Sequence, residues 1–418
     1  MKIKTRKGFN IQPVLDHLSQ FCYESDELPR RFRGLFDHGL LFSREKAYLR
    51  TAIDAKDLSD FELSRVIEKA LREAPKLTQE SFLKHCNLSA SQIDNEKHDD
   101  FKVVFPLWGA QHLISGRRKW DKVWITFDVD KSSAFARKAL ADRITQLKKK
   151  KKNVPTVIEQ VEELPWAVCS IRSINMVDAF ERAEYAITKE LGLYSMVTSL
   201  HTERIVSSSE LPINTILFAP HMTVHNPSGS ITSDIFWYNR WDRFMDPPTR
   251  TQDEITKIRG KVDRLRRKIR RLPWRDKAEQ VLIRYYNAFA HFDLEKSFLD
   301  GWKLLEFIGG DEGTKGDTLI KRAAFLTSDP TLSKEIGMHL RHRRNLISHG
   351  RSINDASNET LAFQMKSFVR PLLETFLTNP FSFQKEKDLW DFCDLPVDKT
   401  ERDKQAKLLA TAQKFRDQ

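Results

Sequence analysis

Between Ile255 and Phe376, apolar residues return every three or four positions in one segment after another, with glycine or proline between the segments. A helix with about 3.6 residues per turn brings such positions onto one face, so this stretch reads as a series of amphipathic helices. Ile255, Ile258, Val262, Leu265, Ile269 and Leu272 form the first seam, which Pro273 ends. The next stripe is Val281, Tyr285, Ala288 and Phe292. It is followed by Phe298, Trp302, Leu305 and Ile308, braked at Gly309-Gly310. Leu319, Ile320 and Ala323 mark a short helix after Gly316-Asp317; Leu332, Ile336, Leu340 and Ile347 mark a longer one that stops at Gly350. Leu361, Met365, Phe368, Leu372 and Phe376 complete the set, with Pro371 predicting a kink and Pro380 a stop. Short connections make antiparallel neighbours, so residues 276–380 are expected to form a helical bundle, trailed by a helical tail over 381–418 with Trp390 and a charged helix near Lys404 to Phe415.

The rest of the chain follows another pattern. Phe101–Phe105, Val123–Phe127, Ala167–Ile171, Thr215–Phe218 and Ile235–Tyr238 are short apolar runs that read as strands, so residues 98–247 are expected to be a mixed α/β domain. Two runs lead into similar helical stretches, Ala134–Leu140 and Ala179–Tyr185, an offset of 45 residues that suits either a duplication or chance likeness of amphipathic helices. Lys148 to Lys152 suit an exposed loop or a solvated helix end, and Pro247-Pro248 mark a boundary. Residues 1–97 are charged and mostly helical, with Phe61, Val66, Ile67 and Leu71 at helical spacing. The 418-residue chain is therefore expected to be α+β: a mixed N-terminal region followed by an all-α C-terminal bundle.

Lysine and arginine outnumber aspartate and glutamate by 70 to 58, a net charge of +12 that favours polyanionic partners. The excess is densest on the connecting helix over 250–275, where ten cations from Lys257 to Arg275 face a single Asp263. Arg264, Arg266, Arg267, Arg270 and Arg271 are the candidate RNA-binding residues there; a connecting helix with hydrated charges is the plain alternative. The four cysteines lie far apart with no C-x-x-C pair, which suggests reduced thiols rather than a zinc site. No apolar run is long enough to span a membrane and the start lacks a signal pattern, so a cytoplasmic protein without a membrane partner is expected.

Chemistry concentrates in Arg343-Arg344-Asn345-Leu346-Ile347-Ser348-His349-Gly350, some forty residues after Phe298-Leu299-Asp300-Gly301-Trp302-Lys303-Leu304-Leu305-Glu306. Together these segments resemble the Apea-like branch of the HEPN superfamily, over about a quarter of the chain. Arg344, Asn345 and His349 match its arginine–polar–histidine motif, with Arg343 a rival for the arginine. The resemblance implies a metal-independent endoribonuclease, in which a ribose 2′-hydroxyl attacks the adjacent phosphate and leaves a 2′,3′-cyclic phosphate and a 5′-hydroxyl. It also implies a homodimer, or a larger assembly of dimers, and a role in bacterial antiviral defence or toxin-type growth arrest.

That chemistry needs a group that moves protons near neutrality and a fixed cation beside the phosphorus; histidine supplies the first and arginine the second. His349, in the last helical turn, is the proton-transfer candidate, and Asn345 would orient the phosphate or the histidine. Glu306 would hold an arginine, or simply make a helix-to-helix ion pair. Asn345 and His349 share a helix face, whereas Arg344 lies about 140° from His349, so a twofold axis is expected to complete the site. No metal or other cofactor is expected. His221 and His225 have a zinc-binding spacing only if helical, and Asp128 and Asp130 are better read as caps for the helix after Ser132 and Ser133. Residues 1–250 would sense a trigger, a phage component or a nucleotide, or select RNA. The alternatives are a non-catalytic HEPN adaptor and an RNA-binding regulator that works through the basic helix.

Overall fold

The computed structural model describes residues 3–22, 43–55, 58, 60–93, 98–150, 163–199, 211–239, 249–350 and 358–417. Among these the chain is α+β with a helical C-terminal part. Strand β1 (Lys4–Thr5) pairs antiparallel with β2 (Ile53–Asp54), beside helices α1 (Gln12–Ser19), α2 (Ser43–Ala52), α3 (Asp60–Glu73) and α4 (Gln79–Ile93). Leu15, Leu18, Leu49, Val66, Ile67, Leu71 and Phe82 form their common core, which accounts for the helical spacing read over 58–71.

The mixed region contributes β3 (Asp99–Trp108), β4 (Gly116–Trp120), β5 (Val123–Phe127), α5 (Ala134–Lys150), β6 (Trp166–Ser173), α6 (Met176–Thr198), β7 (Leu217–Phe218) and β8 (Thr223–His225). The strands line up as β4-β5-β6-β3-β7, with β8 also on β3. β4 and β5 form a tight antiparallel hairpin, Trp120 opposite Val123, and Asp121 takes the left-handed conformation at the turn. On the face under α5, Val104, Trp166 and Val168 pack against Ala136 and Ala139. The duplicated-looking stretches both lie on helices, at the start of α5 and within α6. The run Ile235–Tyr238 is not a strand: only Trp237 pairs there, as an isolated bridge with Met222. None of its four residues is buried, and Ile235 is exposed, so apolar composition marked neither a strand nor a core there. Lys148 to Lys150 lie on α5; Lys151, Lys152 and Pro247-Pro248 lie outside the described residues.

The C-terminal helices are α7 (Gln252–Ile269), α8 (Arg275–Phe289), α9 (Leu294–Gly309), α10 (Gly316–Phe325), α11 (Pro330–Ser348), α12 (Asn358–Thr378), α13 (Glu386–Cys393) and α14 (Lys399–Arg416). α9 is central, packed against α8 and α12, and every residue of its expected stripe from Phe298 to Ile308 is buried. Helix α12 continues through Pro371. Two indole donors are satisfied by backbone: Trp274 Nε1 donates to the Phe376 carbonyl at 3.0 Å and Trp390 Nε1 to that of Ile308 at 2.9 Å.

One expectation fails on α11. Of Leu332, Ile336, Leu340 and Ile347 only Leu340 is buried; Leu332 and Ile336 are exposed, as is Met338. The helix meets α10 and α12 through Gly337, Leu340 and Arg343 instead, because a glycine lets it come close: a Cβ at Gly337 would stand 2.6 Å from Ile320 Cγ2 and from Phe368 Cζ. Apolar spacing could not reveal which side of α11 that close approach would select.

By contacts the chain forms two compact units, Met1–Val103 with Ser170–Glu184 and Val224–Asp234, and Val104–Cys169 with Tyr185–Thr223 and Ile235–Gln418. The second unit thus holds part of the mixed sheet together with all of the C-terminal helices. Inside it α6 lies against α8, where a Cβ at Gly192 would stand 2.4 Å from the Leu282 carbonyl oxygen.

Candidate functional site

Helix α11 begins at a defined cap. The Asp329 carboxylate accepts from the Leu332 N–H at 3.0 Å, and Pro330 fills the first turn, where no donor is needed. The helix ends at His349, whose N–H bonds the Asn345 carbonyl at 3.1 Å. Gly350 follows at φ +67°, a left-handed stop that glycine adopts without strain. The R-x4-H segment is therefore the last turn of a capped helix, with the His349 side chain in solvent.

Arg344 is fixed from behind. Its Nη2 lies 3.4 Å from Glu306 Oε1 on α9, and the same oxygen accepts from Trp302 Nε1 at 2.8 Å. Arg344 Nη1 also donates to Asn345 Oδ1 at 3.3 Å. Trp302 is buried, while the Arg344 and Glu306 side chains are 39% and 42% exposed. A core indole thus orients a carboxylate, and the carboxylate holds a guanidinium at the surface. Arg343, its rival, is buried against the bundle, which removes it from any surface site.

Arg344 and His349 do not share a face on their own helix; five residues separate them by about 140°. His349 shares its face with Asn345, as expected, and with two residues the sequence reading left out: His342, seven positions earlier, and Met338, eleven earlier. The i, i+7 spacing of His342 and His349 was the signal available for the former. All three of Met338, His342 and His349 are exposed.

The basic helix α7 divides into two kinds of cation. Arg264, Arg267, Arg270 and Arg271 are exposed. Arg266 is buried: its Nη2 lies 2.5 Å from Glu190 Oε1 of α6, and its Nη1 bonds Asp263. Glu190 is fully buried and also accepts from Trp120 Nε1 at 2.9 Å, with Arg118 Nε at 3.7 Å. Arg266 therefore fastens α7 to the mixed layer and presents no free charge to an RNA. Arg259 fastens it again, donating to the carbonyls of Leu113 at 3.0 Å and His112 at 2.7 Å. Next to this, Lys189 lies buried between Glu279 of α8 at 2.7 Å and Asp121 at 2.8 Å.

The other candidates stand apart. His221 Nε2 pairs with Gln146 Oε1 at 3.0 Å, and His225 Nδ1 with the Gly229 carbonyl at 2.8 Å; neither is on a helix. Asp130 accepts from the Ser132 N–H at 2.8 Å and from its hydroxyl at 2.7 Å, and these bonds hold its carboxyl below the usual range. Among the described residues no group of three His, Cys, Asp or Glu side chains gathers as a metal site, and no helix is long and apolar enough to cross a membrane. In comparisons with family models, curated proteins and solved structures, the chain finds no match.

Proposed function

We propose that the C-terminal bundle is a metal-independent endoribonuclease of HEPN type, acting as a homodimer or an assembly of such dimers. The observation that carries this reading is the Trp302–Glu306–Arg344–Asn345 chain at the end of α11. It holds a guanidinium at the surface five residues before an exposed histidine. Arg344 would stabilise charge on the pentacoordinate phosphorus, and Asn345 would orient a phosphate oxygen. His349 would move the proton, either from the 2′-hydroxyl or to the departing 5′-oxygen.

Self-association is part of the proposal because Arg344 and His349 diverge around their helix. A twofold axis beside α11 would bring one chain's arginine to its partner's histidine, and would cover the exposed Met338. Antiviral defence or growth arrest, with a trigger sensed by the N-terminal region, is the biological setting of this reading. Incubating the full chain with RNA, with and without EDTA, and identifying the ends produced tests it. Cyclic-phosphate ends that require His349 support it, and intact RNA would reduce the bundle to a binding or adaptor role.

A further inference from the structure

The β4–β5 hairpin carries a surface that the cleavage site does not use. Strand alternation turns Trp120, Val123, Ile125 and Phe127 inward, and all four are buried. The outer face keeps Arg117 and Lys119 of β4 and Trp124 of β5, with Lys119 directly opposite Trp124. Trp124 is 39% exposed, with the Arg117 guanidinium 4.1 Å from the ring centroid and the Lys119 ammonium 5.3 Å. Between Gly116 and Phe127 four cations meet one carboxylate, Asp121, and that carboxylate is already paired with Lys189 at 2.8 Å. Among the described residues β4 is the edge strand of the sheet, and α7 is held beside it at two points, Arg259 reaching Ser115 Oγ, just before the strand, at 2.8 Å and Arg266 sharing Glu190 with Arg118.

We infer that this hairpin face binds single-stranded RNA. One unpaired base stacks on the Trp124–Arg117 pair, taking the place of the more loosely held Lys119 ammonium, while Lys119 and Lys122 neutralise the flanking phosphates. The exposed arginines of α7, on the helix pinned to the same edge, extend the track for the backbone. An aromatic ring and a guanidinium plane both accept a base face, and only an unpaired strand offers one; a duplex keeps its base faces stacked inside. The inference rests on the reading of RNA as the protein's ligand but not on its being cut.

The test uses the full chain in a His349→Ala background, so that the probe survives, and follows the anisotropy of a short fluorescein-labelled oligouridylate over a range of KCl concentrations. Trp124→Ala should weaken binding about tenfold or more while leaving the slope of log affinity against log salt unchanged, because no charge is lost. Lys122→Ala should weaken binding and flatten the slope by about 0.7, and Trp124→Phe should keep most of the affinity. Circular dichroism confirms that each variant is folded. No binding by the parent, unchanged affinity in Trp124→Ala, or an equal loss for the oligouridylate and for a duplex of the same length would each overturn the inference. Trp124-dependent binding by a wild-type chain that leaves RNA uncut would sink the cleavage reading and leave this one standing.

Discussion

Replacing Glu190 with alanine tests whether α7 is held by its buried ion pair. Glu190 is fully buried and Arg266 nearly so, 2.5 Å apart across α6 and α7. Removing one partner of a buried pair usually costs about 3–5 kcal/mol, because the other charge stays desolvated without compensation. Arg266 would keep Asp263, which is itself exposed, so the lower end applies, about 3 kcal/mol. Arg266→Met should cost a similar amount for the opposite reason, leaving Glu190 with Trp120 and Arg118 alone. Glu190→Ala combined with Arg266→Met removes both charges, so the double variant should recover about 2 kcal/mol relative to the sum of the singles. Because α7 belongs to one of two compact units, the quantity to follow is hydrogen exchange of the α7 amides, which reports its local opening. Alanine at the exposed Arg264, Arg267, Arg270 or Arg271 should change that opening by less than about 0.5 kcal/mol. If the two single variants proved additive, or cost no more than those surface substitutions, the pair would not be what fastens α7.

Two further outcomes follow from the bundle. Burial, with Arg370 adding to it, brings the buried Lys366 ammonium down to about 7. Between that pH and an unfolded value of about 10.4, the unfolded chain binds a proton that the folded bundle does not. Lys366 should therefore make stability rise with pH from about 7, until the cysteine thiols, which burial pushes up, begin to oppose it; Lys366→Met should remove that rise in urea-unfolding midpoints, and an identical slope in the variant would refute the assignment. Met338→Glu places a charge on the exposed face that α11 shares with His349, so it should leave the melting temperature nearly unchanged. In sedimentation it should shift the protein toward monomer and lower its specific activity; an unaltered dimer would move the interface off that face.

The bundle was legible because its signal is local. Phe298, Trp302, Leu305 and Ile308 are large, apolar and spaced for one face, and all four are buried, with Leu294 and Leu304 beside them. Strand β4 was not legible: Gly116-Arg117-Arg118-Lys119-Trp120 is polar, and it forms a strand because the turn at Asp121 sets it against an apolar β5. Arg266 looked like its neighbours since its partner Glu190 lies 76 residues away, and sequence spacing carries no trace of that contact. Periodicity also failed on α11, where Gly337 draws one side of the helix into the bundle and leaves Leu332 and Ile336 outside. The site residues themselves came from a motif, with Glu306 expected to hold an arginine; that Trp302 orients Glu306 toward Arg344 needed the packing of two helices, whereas His342 beside His349 was open to the i, i+7 spacing.

The central claim, that the end of α11 performs transesterification, is tested most directly by comparing RNA cleavage by the wild type, His349→Ala and Arg344→Ala with EDTA present. The Arg344–Glu306 pair spans 3.4 Å between side chains roughly two-fifths exposed, so its loss should cost less than about 1 kcal/mol of stability. Exposed His349 contributes even less to packing. Both variants should therefore melt like the wild type while losing about a hundredfold or more in rate, the usual worth of a positioned proton donor or acceptor. The wild-type products should carry 2′,3′-cyclic phosphate and 5′-hydroxyl ends. Near-normal cleavage by folded His349→Ala, or activity that vanishes with EDTA, would contradict the account.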